Sequence, residues 1–293
     1  MFKKVLFCAD LSPAMDNLLI CLGQLKSLGV EQVILAHIVY VANTPGLENS
    51  LMRDAGPRLE EQKETIEQAG FKVKTELSHG KPAYSLIELA NKHDVDLILV
   101  GSHGYGPLTS LALSSSALGG VSEKILNLAK RPVLLSRIKT VEEGKEKVLE
   151  CGQIFSRVLF PTDFSDTAEL AFECLKEVVS QTGCAVDLMT VRSSQRDESA
   201  LDEFRKIDMA RLERMKQDLE KQGSSEVGIV HKTGRAADEI VDKAKDSSLI
   251  IMGTQGRNLL NRMILGSVAH DVARKADVPV LFMPAHCLCG EVD

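Results

Sequence analysis

The chain consists of one unit repeated in tandem, and this duplication constrains its fold more than any other feature. The segment KKVLFCADLSP recurs as SRVLFPTDFSD, so that Asp10 and Asp163 lie 153 positions apart. Three further segments match in the same order: VILAHIV with VDLMTVR, VDLILVGSHG with SLIIMGTQG, and LGGVSEKILNLAKRPVLL with LGSVAHDVARKADVPVLF. The offset drops from 152 to 147 between the last two matches, which locates five extra residues in the first half between Gly104 and Gly119.

Each repeat alternates short apolar runs with segments of helical periodicity. The second half predicts strands over Arg157–Pro161 and Ala185–Val191, and helices over Asp166–Thr182 and Glu198–Gln222. The first half follows the same order, with its first helix predicted over Pro13–Leu28. This alternation predicts an α/β fold of two tandem, doubly wound, five-stranded parallel sheets of the Rossmann-like or flavodoxin-like kind. Right-handed crossovers then bring the loops after the strands to one edge of each sheet, where such folds bind ligands.

The repeats also divide the chain into domains. A length of 293 residues is enough for two domains that each bury a core, and 44% hydrophobic with 26% charged residues is an ordinary globular composition. We expect a first domain over residues 1–138, a charged linker over 139–154, a second domain over 155–285 and a tail over 286–293.

A candidate ligand site lies in the stretch from Leu249 to Ser267. A short apolar run ends at Gly253, Gly256 follows three positions later, and Gly266-Ser267 precedes a segment of helical spacing. Strand, glycine loop and helix in this order bring free backbone N–H groups and the positive end of a helix dipole to the sheet edge, which suits a phosphate. The spacing predicts a nucleotide site.

The spacing G-x2-G-x9-G-S resembles the signature of the ATP-binding branch of the universal stress protein family. The resemblance covers both halves and is stronger in the second. It implies the universal stress protein fold, ATP or another adenine nucleotide as ligand, and a role as a stress-linked regulator or nucleotide sensor. It also implies a set of nucleotide-binding residues: Thr162, Asp163, Val191, Gly253, Gly256, Arg257, Gly266 and Ser267.

Within that set, Thr162 and Asp163 are expected to border the adenosine, and the main chain of Val191 is expected to meet the adenine edge. The glycines and Ser267 are assigned to the phosphates, and Arg257 adds a positive charge. Two alternatives stay open at this point. Asp163 could cap the following helix or hold a magnesium ion, and the glycines could simply form turns with Ser267 as a helix N-cap.

The first half departs from this pattern. Asp10, Ile38, Gly101, Gly104 and Gly119 stand at the corresponding positions, but fourteen residues replace nine before the last glycine. A glycine also takes the place of the serine that follows. We interpret this half as an altered or degenerate site, because it lacks one hydroxyl donor and its loop is longer.

Nothing in the motifs points to an efficient enzyme or a resident metal. The chain has no G-x4-GK[ST] segment, so it lacks the lysine that a P-loop places on the phosphates for fast transfer. We expect no catalytic residues and at most weak ATP hydrolysis. Two other hypotheses are a slow ATPase or phosphotransferase, and a scaffold that uses the paired domains to bind partners.

Charge and hydropathy restrict the other partners. A net charge of −6 offers no basic excess for a polynucleotide, and no apolar run reaches membrane-spanning length. We therefore expect a cytoplasmic protein without nucleic-acid or membrane partners. The family resemblance further implies that the two units pair through their last strands, and a homodimer beyond that pair is an open alternative. The seven scattered cysteines are expected to be reduced, and Cys287 and Cys289 in the tail form a weak candidate for zinc binding or oxidation.

Overall fold

A computed structural model describes most of the chain: residues 2–11, 19, 22–41, 46–102, 118–136, 153–193, 198–256 and 265–285. The chain divides into two compact units, the second of which begins at Gln153. Several predictions fall outside the described residues: most of the first helix, Gly104, Arg257, residues 139–152 of the linker, and the tail with its two cysteines. The domain limits therefore stay predictions.

The first unit contains five strands and, among its described residues, three α-helices and one 3₁₀ turn. In chain order these are β1 (Lys4–Cys8), the 3₁₀ turn (Leu25–Leu28), β2 (Gln32–Val39), α1 (Glu48–Gln68), β3 (Lys72–His79), α2 (Pro82–Lys92), β4 (Leu97–Gly101), α3 (Gly120–Leu128) and β5 (Val133–Ser136).

The second unit repeats this order. Its described elements are β6 (Arg157–Pro161), α4 (Asp166–Thr182), β7 (Ala185–Arg192), α5 (Glu198–Lys221), β8 (Val227–Thr233), α6 (Ala236–Lys243) with a 3₁₀ turn (Ala244–Asp246), β9 (Leu249–Gly253), α7 (Ser267–Lys275) and β10 (Val280–Met283).

The two sheets have the same topology. In the first unit the strand order is β3-β2-β1-β4-β5, and every pair of neighbours is parallel. The second unit has the order β8-β7-β6-β9-β10, again entirely parallel. The first strand of each unit therefore lies between its second and fourth strands, and the chain changes direction across the sheet there. The predicted doubly wound α/β fold is confirmed.

Helix α4 illustrates how the sequence sets the local structure. It begins after Ser165, whose side chain accepts a hydrogen bond from the Ala168 N–H, and it ends at Gly183, which adopts a left-handed conformation with φ of 64°. Between these ends the buried residues recur at helical spacing: Ala168, Ala171, Phe172, Leu175, Val178 and Val179. Burying one such large apolar side chain contributes about 1.5–3 kcal/mol, so this face attaches the helix to the sheet.

Two strands are longer than the ranges that the repeat pattern predicts for them, Lys72–Leu77 and Glu226–His231. Strand β3 continues to His79 and β8 to Thr233, because both remain paired to the full length of their neighbours, β2 and β7. These strands lie at the outer edge of their sheets and carry exposed polar residues, so the apolar pattern stops before the pairing does.

Within the residues that the structure describes, no helix is both long and apolar enough to cross a lipid bilayer.

Candidate functional site

The candidate site of the second unit lies where β6 and β9 end side by side. These strands are paired in register, with Val158 opposite Leu249 and Leu159 opposite Ile250. The segments that leave their carboxyl ends, 162–165 and 254–256, therefore emerge at the same edge. This is the position at which open parallel sheets bind ligands.

A tight turn after β6 presents Asp163. The Thr162 N–H donates to the Met189 carbonyl at 2.8 Å, and the Thr162 hydroxyl accepts from the Phe164 N–H at 2.9 Å. Phe164 has φ of 58°, an uncommon conformation for a bulky residue, and Leu11 has φ of 57° at the matching position of the first unit. Asp163 is exposed, and its Oδ1 accepts from the Ser165 N–H at 3.1 Å. The turn directs a carboxylate outward at the sheet edge.

The second glycine of the motif lies against this carboxylate. A Cβ atom placed on Gly256 would lie 2.8 Å from the Asp163 Oδ2 atom. The two segments predicted to form one site are therefore in direct contact, and a residue larger than glycine would displace the carboxylate.

The first glycine of the motif has a different reason to be small. A Cβ atom on Gly253 would lie 2.7 Å from the Thr167 Cγ2 atom and 3.1 Å from the Thr167 carbonyl carbon and oxygen. Glycine is required here because the first turn of α4 packs against the end of β9. Its presence is explained by packing and is not by itself an argument for phosphate binding.

The third glycine begins the last helix of the site. Gly266 is buried, donates its N–H to the Thr254 carbonyl at 2.8 Å, and precedes α7 as its N-cap. Because the N-cap residue is a glycine, it has no side chain of its own to cap this helix end, and Ser267, the first helical residue, is exposed. The first N–H groups of a helix have no partner within the helix, so this end can donate to an anion.

Val191 is half-buried near the end of β7 and pairs with Lys232 of β8. Since β7 adjoins β6, this main chain is one strand away from Asp163.

The first unit keeps the same backbone arrangement despite its longer loop. Gly119 is the N-cap of α3 and donates its N–H to the Ser102 carbonyl at 2.8 Å, as Gly266 does to Thr254. The Gly101 carbonyl accepts from the Ser122 hydroxyl at 2.6 Å, so this edge is held by hydrogen bonds. Asp10 is half-buried and Ile38 is buried. Gly120 follows as the first helical residue, where the second unit has Ser267.

A cavity in the first unit was not predicted from the sequence. It has a volume of about 300 Å³ and lies at the ends of β2 and β3, lined in part by Tyr40, His79 and Lys81. This is one strand farther out than Asp10, because β2 separates β1 from β3.

Sequence reasoning also missed a charged cluster beside the second site. Arg192, the last residue of β7, donates from Nε to Oδ2 of Asp208 at 2.6 Å and from a terminal nitrogen to Oδ1 of the same carboxylate. These hydrogen bonds raise the pKa of Arg192 although burial opposes the rise, and the negative charge of Asp163 adds to it. Asp208 interrupts the apolar stripe of α5, a signal that could have revealed it.

In the described part of the chain, no group of three or more His, Cys, Asp or Glu side chains could hold a metal ion.

The comparisons with known proteins agree on one family. The model of the universal stress protein family matches residues 1–137 and again residues 155–284. A universal stress protein from Archaeoglobus fulgidus superposes with a TM-score of 0.71 at 25% identity, covering 96% of this chain and 98% of that one.

Two curated relatives carry the same family name. A universal stress protein of Synechocystis is 25% identical over 282 residues, which is 95% of this chain and 88% of the relative. One from Methanocaldococcus jannaschii is 28% identical over 162 residues, which is 47% of this chain and 97% of the relative. With both halves matched by the family model and the same fold in a solved member, this chain belongs to the universal stress protein family.

Proposed function

We propose that the second unit binds an adenine nucleotide, with ATP as the first candidate, and that the protein is a stress-response regulator whose nucleotide state changes its shape or partners. The observation that carries the proposal is the contact between the segments after β6 and β9, where a Cβ atom on Gly256 would lie 2.8 Å from the Asp163 carboxylate. The exposed Asp163 carboxylate, Gly256 and the N-terminus of α7, whose N-cap is a glycine, are the groups proposed to hold the ligand.

In this proposal the adenosine half of the ligand lies over β6 and β7. The exposed oxygens of Asp163 accept hydrogen bonds from the ribose hydroxyls, and Thr162, whose own groups are used within the turn, forms the wall beside them. The main chain at Val191 meets the edge of the adenine.

The phosphates lie over β9 and α7. Gly256 and Gly266 let the backbone approach closely, and Ser267 offers a hydroxyl and an N–H at the positive end of the helix. Gly253 holds β9 close to α4, and Arg257 remains a predicted positive charge. One exposed helix end stabilises an anion by only about 0.3–1 kcal/mol, so useful affinity requires several such donors together. A magnesium ion carried by the phosphates is an alternative ligand for the Asp163 carboxylate, in place of the ribose hydroxyls.

We propose binding without fast turnover, because the chain has no P-loop lysine for phosphoryl transfer. The first unit is proposed to bind the same ligand more weakly, since Gly120 supplies no hydroxyl where the second unit has Ser267. The domain limits, the cytoplasmic location, the pairing of the units through their last strands and any further homodimer stay predictions.

The test compares matched aspartates in the two units. Purified full-length protein is denatured, the released small molecules are separated by anion-exchange chromatography, and ATP affinity is measured by titration calorimetry. We expect Asp163→Ala to weaken ATP binding about tenfold or more, as loss of a hydrogen bond to a charged group does. Asp10→Ala, the same change in the first unit, is expected to leave this binding intact. Absence of ATP binding by the native chain, or equal loss in the two variants, would contradict the proposal.

A further inference from the structure

The end of β7 is linked to α5 by an ion pair between Arg192 and Asp208, which we call the clamp. The fold of the unit does not depend on this ion pair, as the first unit shows. Asp208 lies on α5 with no exposed surface, and both of its oxygens accept hydrogen bonds from Arg192. The Arg192 guanidinium also lies over the ring of Phe204, 5.1 Å from its centre. Two parallel hydrogen bonds and a stacked ring leave the guanidinium little freedom of orientation.

A third group faces the same carboxylate from β8. The Nε2 atom of His231 lies 3.5 Å from Oδ2 of Asp208. This nitrogen is buried and has no hydrogen-bond partner among the described residues. Asp208 thus faces both β7 and β8, and its hydrogen bonds come from Arg192 of β7. The main chain at the end of β7 is held in addition by the Gly234 N–H, which donates to the Arg192 carbonyl at 2.8 Å.

The first unit shows that the fold does not require this clamp. Val39 and Ala55 occupy the positions 153 residues before Arg192 and Asp208, and both are buried and apolar. The repeat is in register along the helix, since Leu59 and Leu212 are also 153 positions apart and buried. Both units have the backbone hydrogen bond at the end of this strand: the Gly80 N–H donates to the Val39 carbonyl at 3.0 Å, as the Gly234 N–H donates to the Arg192 carbonyl. Only the second unit adds a charged clamp, and it adds it next to Val191.

We propose that Arg192, held by Asp208, is a positioning residue that fixes the Val191 main chain for recognition of the adenine edge. The inference rests on the proposed nucleotide site of the second unit. Because a buried carboxylate is strongly destabilising without its partner, the ion pair holds the end of β7 against α5. Arg192 itself is not assigned to contact the ligand. Removing the clamp should therefore weaken binding of the base and leave binding of the phosphates unchanged.

The experiment measures two ligands on the full-length protein by titration calorimetry: ATP, which uses both halves of the site, and inorganic tripolyphosphate, which can use only the phosphate half. Asp208→Asn keeps the shape of the side chain and removes its charge. We expect ATP affinity to fall about tenfold and tripolyphosphate affinity to stay within about twofold of the native value.

A second variant removes the clamp without leaving an unpaired buried charge that could unfold the protein. The double change Arg192→Val with Asp208→Ala installs the apolar pair that the first unit carries, and replacing both partners of a buried ion pair leaves no charge unpaired. It is expected to show the same selective loss of ATP affinity.

Asp187→Asn is the matched control. Asp187 is also a buried aspartate of the second unit, paired with Arg157 and Lys243 toward the other end of β7. It should leave the ratio of the two affinities unchanged. Equal losses for ATP and tripolyphosphate, no loss in either clamp variant, or a changed ratio in the control would overturn the inference. If native protein binds no ATP, the proposed function fails as well; if it binds ATP and the clamp variants match it, only the positioning role fails.

Discussion

Replacing glycine by alanine should have different effects at Gly253 and Gly256. We expect a loss of stability at Gly253 and a loss of ATP binding at Gly256. At Gly253 an added methyl group meets the Cγ2 atom of Thr167 at 2.7 Å and the backbone of that residue at 3.1 Å. Ordinary carbon contacts are about 3.5–4.0 Å, so the backbone of α4 would have to yield by about half an ångström. At Gly256 the closest atom of the described residues is the Oδ2 of Asp163 at 2.8 Å, which belongs to an exposed side chain that can rotate.

These contacts set the expected magnitudes. Overpacking against a helix backbone costs about 1–3 kcal/mol, and Gly→Ala recovers part of this by restricting the unfolded chain, so Gly253→Ala should destabilise the protein by about 1–2 kcal/mol. Gly256→Ala should change the free energy of unfolding by less than about 0.5 kcal/mol, because only a surface carboxylate moves. It should nevertheless weaken ATP binding, since Asp163 leaves the position proposed for the ribose.

Chemical denaturation of the full-length protein followed by circular dichroism measures the first effect, and titration with ATP measures the second. Thr167→Ser removes the Cγ2 atom and keeps the hydroxyl, so adding it to Gly253→Ala should restore part of the lost stability. The reasoning is wrong if Gly253→Ala is as stable as the native protein, if Thr167→Ser restores nothing, or if Gly256→Ala destabilises as strongly as Gly253→Ala.

Three further predictions concern other sites. Burial opposes ionisation of Glu76, but its hydrogen bond with His93 at 2.6 Å and nearby lysines outweigh this and hold the pKa of Glu76 below its ordinary value. The stability this gives is present above about pH 4 and is lost as the pH falls through the lowered pKa, so unfolding curves of Glu76→Gln should depend less on pH below that point than native curves. Burial raises the pKa of the Cys8 and Cys184 thiols, so both should resist alkylation by iodoacetamide near neutral pH in the folded protein. Peptide mapping should find both alkylated only after unfolding, and labelling of the native protein would contradict their burial. Among the described residues, nothing lies within 4 Å of a Cβ atom placed on Gly120. Gly120→Ser is therefore expected to keep the stability of the protein and to raise ATP binding in an Asp163→Ala background; unchanged binding would show that the missing hydroxyl does not limit the first unit.

Much of the fold follows from local patterns. The predicted limits of α4 match the structure because Ser165 and Gly183 provide strong start and stop signals at its ends. The duplication predicted two equal sheets, since matched sequences bury matched faces. Outer strands such as β8 were underestimated because their last residues are polar and exposed.

The convergence of two of the predicted site segments could be predicted from the sequence, but their contacts could not. The alternation of strands and helices, with its right-handed crossovers, requires that Asp163 and Gly256 emerge at one edge, and the structure brings them into contact. Sequence alone could not tell why each glycine is there: Gly253 accommodates Thr167, which lies 86 positions earlier in the chain.

Pattern and spacing by themselves therefore determined the repeat, the order of its elements and the edge that carries the loops, because these depend on neighbours along the chain. The tertiary structure decided which residues meet across elements. The position of Asp208 within the apolar stripe of α5 hints that it is buried, but only the packing of α5 against β7 shows that Arg192 is its partner. Partnership between distant residues is a property of the folded arrangement, because it depends on which elements pack together.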